Sequence, residues 1–207
     1  MKVVIIGAGG HGQVVADILF HMWTKGRDLE LMGFLDDMPE RIGTSVLGLK
    51  VLGPVEQLDD IGHEAIIVAM DDNRARLEMA RRLHDEPMIN AIHPSAVLAP
   101  DVSIKPGGVV CAGAVVNPGT TVERGAIVNT GATVDHNSTL CEYSHVGPGV
   151  NLGDGVHVGT GALVGLGASV IPQVRLGDWS VVGAGAVVTR DVPEKETWVG
   201  VPARKLS

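Results

Sequence analysis

A six-residue repeat constrains the fold of this chain more than any other feature. From Ile92 onward, every sixth residue as far as Val188 is Val, Ile or Leu. The residue four places after each of these is small or β-branched, from Ala96 to Val192. Such a repeat is typical of short parallel strands wound into a triangular coil, with three strands and about eighteen residues per turn. Residues eighteen apart therefore lie above one another, at the roughly 4.8 Å spacing of strands in a sheet.

The composition of the chain fits such a coil. Hydrophobic residues make up 45% of the 207 positions, whereas Phe, Trp and Tyr together make up only 3%. The 28 glycines do not recur at every third position, which excludes collagen, and the aliphatic content excludes a disordered chain. A narrow, regular interior of small and aliphatic side chains is the structure that these numbers allow.

The chain divides into two regions near Ile92, His93 and Pro94. Residues 91–207 contain the repeat and end in a short tail. In residues 1–90, aliphatic runs alternate with helical patterns, which predicts a small parallel α/β sheet of Rossmann-like type. The predicted elements of this region are strands at 3–6, 31–35 and 65–70 and helices at 11–22 and 73–84. We therefore expect an α/β domain followed by a parallel β-helix.

The net charge and the spacing of the cysteines limit which partners this protein can bind and in which cellular compartment it works. The net charge of −8 at pH 7 argues against a nucleic-acid partner, because proteins that bind phosphate backbones concentrate Lys and Arg. Cys111 and Cys141 lie thirty residues apart without a CxxC motif, which indicates reduced thiols. No apolar segment has the length of a membrane span or a signal peptide. We expect a cytoplasmic protein that binds neither nucleic acid nor membrane.

A glycine-rich turn follows the first predicted strand. Residues Gly7-Ala8-Gly9-Gly10-His11-Gly12 match GxGxxG before a helix, the context in which a backbone approaches a pyrophosphate. Asp36 ends the second strand, where an acidic residue can bind a ribose hydroxyl. About 90 residues are nevertheless only half of a dinucleotide-binding fold, so an NAD-dependent dehydrogenase is disfavoured.

The histidines of the repeat region do not form a zinc pattern. A zinc enzyme of carbonic anhydrase type needs three converging histidines. His136, His145 and His157 are separated by nine and twelve residues, so no two of them stack within one chain. We expect no metal.

Two neighbouring segments point to a known family. Val134-Asp135-His136-Asn137 and Glu142-Tyr143-Ser144-His145-Val146 resemble the active-site coil of the NeuD-type hexapeptide-repeat sugar acyltransferases. That family includes bacterial nucleotide-sugar 4-amino N-acetyltransferases and sialic acid O-acetyltransferases. The resemblance implies a left-handed β-helix, a homotrimer with sites between subunits, and acetyl-CoA as the co-substrate.

The resemblance also assigns roles to the residues of this coil. It makes His136 the general base and places His145 beside acetyl-CoA. An acidic residue follows the base in the family, whereas here Asn137 stands, which orients an imidazole without neutralising imidazolium. Asp135, or Asp154 stacked one coil from His136, is the candidate for the missing carboxylate.

Further cofactor and substrate positions follow from the same resemblance. Leu166 and Ala184, eighteen apart, map beside CoA, and the ending Gly200-Val201-Pro202-Ala203-Arg204-Lys205 maps near its nucleotide, where the two cations either meet its phosphates or form a solvated tail. The candidate nucleotide-sugar residues of the first domain are Gly9, Gly10, His11, Asp36, Asp37 and Met70. Met70 stands where relatives often have glycine.

These observations predict an acetyl-CoA-dependent transferase. The expected acceptor is the amino group of a UDP- or GDP-linked 4-amino-4,6-dideoxyhexose, attacking the thioester directly with no acyl-enzyme. Two alternatives stay open at this point. One is O-acetylation of a sugar hydroxyl, as in the sialic acid branch, and the other is a catalytically silent nucleotide-sugar-binding protein.

Overall fold

The computed structural model describes residues 1–206, which form two compact units. The first is Met1–Pro94, and the second begins at Ser95. None of the helices in residues 1–206 is long and apolar enough to cross a bilayer.

The first unit is an α/β domain built on one five-stranded sheet. The sheet order is β3-β4-β2-β1-β5, and β3 alone runs antiparallel to its neighbour. Strands β1 and β5 are buried almost throughout, which explains their continuous aliphatic runs. The elements are β1 Lys2–Ile6, α1 Gly10–Thr24, β2 Glu30–Leu35, β3 Ser45–Val46, β4 Leu49–Gly53, β5 Ala65–Val68 and α2 Asn73–Arg82, with 3-10 turns at Pro39–Arg41 and Val55–Asp60.

The sequence prediction for this unit is confirmed in its three strands and two helices, with small shifts of their ends. It missed the β3–β4 hairpin. The turn between these strands places Leu47 and Gly48 at φ values of 50° and 81°. Leu is unusual in the first of these positions, where Asn or Asp is the common signal, so the turn could not be recognised from its residues.

The second unit is a parallel β-helix. Its three sheets run β7-β10-β13-β16-β19-β22, β8-β11-β14-β17-β20, and β9-β12-β15-β18-β21-β23-β24. Paired residues from β7 to β22 are eighteen apart, as in Val116 with Val134 and Val134 with Leu152, so the predicted stacking is confirmed. The pairing of β21 with β23 is closer in sequence, at sixteen residues. A two-residue strand, β6 Ala91–Ile92, ends the first unit. The two-residue strands of the second unit are β7 Val97–Leu98, β8 Ser103–Ile104, β9 Val109–Val110, β10 Val115–Val116, β11 Thr121–Val122, β12 Ile127–Val128, β13 Thr133–Val134, β14 Thr139–Leu140, β15 His145–Val146, β16 Asn151–Leu152, β17 His157–Val158, β18 Leu163–Val164, β19 Ser169–Val170, β20 Arg175–Leu176, β21 Val181–Val182, β22 Val187–Val188 and β24 Arg204–Lys205, and β23 is Thr197–Val199.

Packing at the corners of the coil explains why several of these positions are glycine. Tyr143 has a φ of 55° and lies one coil after Gly125. A Cβ atom added to Gly125 would lie 2.6 Å from the Tyr143 ring, so the ring covers this glycine. A Cβ atom added to Gly119 would likewise collide with the Asn137 side chain. Glycine is therefore required where a side chain of the next coil packs onto the corner.

A half-buried histidine makes the stability of the first unit depend on pH. Nε2 of His63 lies 2.9 Å from a Glu86 carboxylate oxygen, and its Nδ1 lies 2.7 Å from the Ile61 carbonyl oxygen. Burial alone would lower the pKa of His63, but the Ile61 and Glu86 contacts hold it above its usual value. The stabilisation is fully present below about pH 6.5, the unfolded pKa, and is lost as the pH rises through the folded pKa.

We therefore expect Glu86→Gln to destabilise the protein in acid more than in base. The loss in the free energy of unfolding should be about 1 kcal/mol larger near pH 5.5 than near pH 8. Urea unfolding of the full chain at both pH values measures this difference, with Glu78→Gln, an exposed position on α2, as the control. An equal loss at both pH values would contradict the assigned ion pair.

Candidate active site

The glycine-rich turn joins β1 to α1 in a tight backbone path. Gly7 has a φ of 104°, and a Cβ atom on Gly12 would collide with the Gly7 carbonyl oxygen. Gly9 is the N-cap of α1 and supplies no side-chain cap, and a Cβ atom on Gly10 would meet no atom within 4 Å. His11 is buried in the first turn of the helix. The turn thus leaves room for a ligand beside Gly10, at the positive end of the α1 dipole.

Asp36 fastens this turn to the end of β2. One carboxylate oxygen accepts from the Ala8 N–H at 2.7 Å and from Arg41 Nη1 at 2.9 Å, and the other accepts from the Met38 N–H at 2.9 Å. Burial alone would raise the pKa of Asp36, but the Ala8 and Met38 N–H groups and the Arg41 guanidinium hold it below its usual value. Asp36 is therefore ionised and holds both the turn and Arg41, a cation that sequence reasoning did not single out.

Asp37 has different contacts from Asp36. Its Oδ1 accepts from the Val55 N–H at 2.8 Å, and its Oδ2 pairs with Arg82 at 2.9 Å. Asp37 therefore links β2 to the loop after β4 and to α2.

Met70 follows β5 and lies beside the same turn. Its Cγ is 3.4 Å from the position of a Cβ atom on Gly7. The loop is fixed by Arg76, which is buried and donates to the carbonyl oxygen of Met70 at 2.8 Å and to Oδ1 of Asn73 at 2.7 Å. Sequence reasoning missed Arg76, because an arginine on a short charged helix has the pattern of an exposed residue.

His136 lies exposed at the corner that follows β13. Its backbone N–H donates to Asp135 Oδ1 at 2.8 Å, and the same oxygen accepts from Asn117 Nδ2 at 2.9 Å. The Asn117 hydrogen bond and then the His136 N–H hold the pKa of Asp135 below its usual value. Asp135 is therefore a fixed, ionised carboxylate next to the candidate base.

A second carboxylate approaches His136 from the next coil. Gly155 donates its N–H to the His136 carbonyl oxygen at 2.9 Å, which places Asp154 directly beneath His136. One side-chain donor atom from each of Asp135, His136 and Asp154 lies within 4.8 Å of the other two. The structure therefore brings together the candidate base and both carboxylates that the sequence proposed for it.

Asn137 orients the imidazole ring. Its Nδ2 lies 3.0 Å from His136 Nδ1, and its φ of 56° is a conformation that Asn adopts more readily than most residues. With Nδ2 facing Nδ1, the neutral ring has its proton on Nε2. Rotation of the amide by 180° places Oδ1 there instead, so that Nδ1–H donates and the Nε2 lone pair is open. A base acting through Nε2 requires the second arrangement.

The candidate CoA residues lie elsewhere on the coil. His145 lies in β15, with Nε2 3.0 Å from Asn129 Nδ2, and is 7% exposed. Since β13 and β15 belong to different sheets, His136 and His145 lie on different sides of one chain. Leu166 and Ala184 do lie together, exposed on adjacent coils, where the Gly185 N–H donates to the Leu166 carbonyl oxygen at 2.8 Å.

The C-terminal tail folds back on the coil. Arg204 and Lys205 form β24, antiparallel to β23. Lys205 Nζ lies 2.7 Å from Glu196 Oε1, a contact that holds the pKa of Glu196 below its usual value. Both cations are exposed, but the Lys205 ammonium already has an anionic partner.

Comparison with known proteins identifies the family. A family model described as the PglD N-terminal domain matches residues 2–83. PerB from Caulobacter crescentus, solved in complex with CoA and GDP-perosamine, is 39% identical, with a TM-score of 0.92 over 100% of this chain and 98% of that one. The chain is a NeuD/PglD-type sugar acetyltransferase.

Other relatives agree with this assignment. The acetyltransferase domain of PglB from Neisseria gonorrhoeae FA1090, solved with acetyl coenzyme A, is 37% identical, with a TM-score of 0.92 over 99% of this chain and 98% of that one. A shorter match, 51% identical over 37 residues, is to a Schizosaccharomyces pombe protein assigned to the acetyltransferases, and it spans 18% of either chain.

Family membership settles two sequence predictions. The Rossmann-like domain followed by a left-handed parallel β-helix is confirmed, and the glycine-rich turn belongs to a sugar acetyltransferase and not to a dehydrogenase.

Proposed function

We propose that this enzyme transfers the acetyl group of acetyl-CoA to the amino group of a nucleotide-linked amino sugar, of the UDP- or GDP-4-amino-4,6-dideoxyhexose type. The observation that most supports this is the corner at His136, where an exposed imidazole is oriented by Asn137 and faces the carboxylates of Asp135 and Asp154. A relative of 39% identity, solved with CoA and GDP-perosamine, favours an amine over a hydroxyl acceptor.

The chemistry requires a base at this position. The neutral amine nitrogen attacks the thioester carbonyl carbon, so that a C–N bond forms as the carbonyl π electrons move to oxygen. His136 Nε2 accepts a proton from that nitrogen. The tetrahedral intermediate then collapses, the C–S bond breaks, and the imidazolium returns the proton to the departing CoA sulfur. The products are the N-acetyl sugar and CoA.

The two carboxylates act on the charge that forms on the ring. Asn137 is neutral and therefore cannot offset the positive charge of the imidazolium. Asp135 is held ionised by Asn117, and Asp154 lies beneath the ring, so both supply negative charge within 4.8 Å. Electrostatic stabilisation of a charge that exists only along the reaction path raises kcat.

The first unit binds the nucleotide in this proposal. The N–H groups of Gly9 and Gly10 at the start of α1 face the diphosphate, with Arg41 beside Gly9 as a countercharge. Asp36 acts mainly by holding the turn and Arg41 in place, since its oxygens already accept three hydrogen bonds. Met70 borders the sugar and reduces the space that a glycine would leave.

The active enzyme is proposed to be a homotrimer. His136 and His145 lie on different sides of one chain, so they can border the same site only if neighbouring subunits contribute one each. The acetyl-CoA site then consists of His145, Leu166 and Ala184, with Arg204 near the phosphates. We expect light scattering to give three times the chain mass, whereas a monomeric active enzyme would contradict the shared site.

Neither cysteine is suited to form an acyl-enzyme. Burial raises the pKa of Cys111 to about 11. Burial, followed by the charge of Asp178, raises the pKa of Cys141 as well. A thiol must be a thiolate to attack a thioester, so direct transfer is favoured.

We therefore expect Cys141→Ser to retain kcat within about twofold of wild type. Steady-state CoA release measures this, and mass spectrometry of the enzyme incubated with acetyl-CoA alone provides the control. A covalently acetylated enzyme, or loss of turnover in the variant, would overturn the direct mechanism.

A panel of acceptors tests the function as a whole. CoA release is followed with GDP- and UDP-linked 4-amino-4,6-dideoxyhexoses, with the corresponding 4-hydroxy sugars as matched controls, and with CMP-sialate. We expect turnover with the 4-amino sugar linked to one of the two nucleotides, and no turnover with the corresponding 4-hydroxy sugar. Preferred turnover of a hydroxyl sugar would replace the proposal with O-acetylation, and nucleotide-sugar binding without turnover would indicate a silent binding protein.

A further inference from the structure

We propose that Asp17, His21 and His93, all in the first unit, form a binding site for a divalent transition-metal cation such as Zn²⁺. One ligand atom from each of these residues lies within 4.8 Å of the other two. This site is separate from the acetyl-transfer chemistry. The sequence expectation of no metal did not consider it, because His93 is 72 residues from His21 along the chain.

Local geometry supports the convergence of the three side chains. Asp17 and His21 are four residues apart on α1 and therefore share one face of the helix. His21 Nδ1 lies 2.9 Å from the Asp17 carbonyl oxygen and 3.5 Å from its carboxylate. The His21 and His93 rings have centroids 4.7 Å apart, at an interplanar angle of 47°.

The donor set indicates the kind of cation. Two imidazole nitrogens and one carboxylate oxygen suit Zn²⁺, Co²⁺ or Ni²⁺, whereas Mg²⁺ and Ca²⁺ prefer oxygen alone. Tetrahedral bonds of about 2.0–2.2 Å place neighbouring ligand atoms about 3.4 Å apart, so atoms that now lie within 4.8 Å must approach by at most about 1.4 Å. Asp17 and His21 are half-exposed, at 56% and 50%, and can rotate toward the ion without disturbing the core.

The charge of the cluster also suits a cation. Asp17 is exposed at 56%, and a bound cation would offset the negative charge of its carboxylate.

Occupancy of the site would connect two distant parts of the first unit. The residues next to the two histidines already touch, since the Ile92 N–H donates to Met22 Sδ at 3.4 Å. The helix that begins at the glycine-rich turn would then be bonded, through its last turns, to residue 93. A cation that binds only the folded chain raises the Tm, and the increase grows with the logarithm of the free cation concentration above the Kd.

Titration of the full-length protein with Co²⁺ tests the site. We expect one equivalent per chain with visible absorption bands, and we expect His21→Ala and His93→Ala to bind it at least about tenfold more weakly. Two control variants should retain Co²⁺ binding. One is His84→Ala, which removes an exposed histidine beside Asp85, and the other is His136→Ala. Because His136→Ala removes the proposed base, retained Co²⁺ binding there separates this site from the acetyl-transfer site.

Two outcomes would overturn the proposal. One is the absence of Co²⁺ binding by the wild type, and the other is equal binding by the wild type and His21→Ala. The Tm of each variant without metal shows whether it is folded. Asp17→Asn, which keeps the size of an exposed side chain, provides a second test if His93→Ala is unstable, and its Co²⁺ affinity is expected to fall about tenfold.

Discussion

Replacing His136 with alanine is expected to lower kcat by about 10²- to 10⁴-fold, the usual effect of removing a general base. KM for acetyl-CoA should change little, because the substitution leaves the candidate CoA residues His145, Leu166 and Ala184 intact. The Tm should also be close to that of wild type, since the His136 side chain is exposed and, within residues 1–206, its ring has a hydrogen bond to Asn137 alone. Steady-state CoA release at saturating acceptor measures the effect.

The matched control for this variant is His84→Ala, which removes an exposed histidine of the first unit. It should retain full turnover. The remaining activity of His136→Ala should increase at high pH, where more of the attacking amine is neutral without help from a base. If His136→Ala retained wild-type kcat, another group would have to accept the proton, and the assignment of His136 would be wrong.

Replacing Asp154 with asparagine is expected to lower kcat about tenfold, which corresponds to roughly 1.4 kcal/mol of lost stabilisation of the imidazolium. Asp135→Asn should lower kcat by a similar factor, because Asp135 also stabilises the His136 imidazolium. Asp154 is the cleaner test because, within residues 1–206, its carboxylate accepts no hydrogen bond that holds the coil. Asp135 also accepts from Asn117 and from the His136 N–H, so its loss also loosens the corner.

A charge added at position 137 distinguishes an electrostatic role from a structural one. Asn137→Asp places a carboxylate 3 Å from Nδ1 at a φ that Asp tolerates, and it fixes an acceptor opposite the ring. We expect this change to restore most of the activity that Asp154→Asn loses. It should also shift the acid limb of the pH–rate profile. Wild-type kinetics in both Asp154→Asn and Asp135→Asn would eliminate the carboxylates from the mechanism.

Local patterns in the sequence explain why so much of the fold was predictable. The hexad repeat places Val116, Val134 and Leu152 in register by counting alone, because each coil pairs only with its neighbours. The same counting placed Asp154 against His136. The strand, glycine turn and helix at the start of the chain were predictable because three adjacent segments contain the whole motif.

The features that were missed depend on contacts between distant residues. Arg76 is buried because Met70, Asp71 and Asn73 supply oxygen acceptors, which no helical pattern reveals. His21 and His93 come together only because α1, which contains His21, packs against β6, which directly precedes His93. The tautomer of His136 depends on which end of the Asn137 amide faces its ring, a choice made by the folded corner and not by residue type.

The central claim is that this chain acetylates the nitrogen of a nucleotide-linked amino sugar with His136 as the base. The most direct measurement is mass spectrometry with fragmentation of the product formed from acetyl-CoA and the preferred 4-amino sugar, by wild type and by His136→Ala in parallel. We predict one acetyl group on the 4-nitrogen with the wild type and almost none with the variant. An acetyl group on a sugar oxygen, or equal product from both proteins, would contradict the claim.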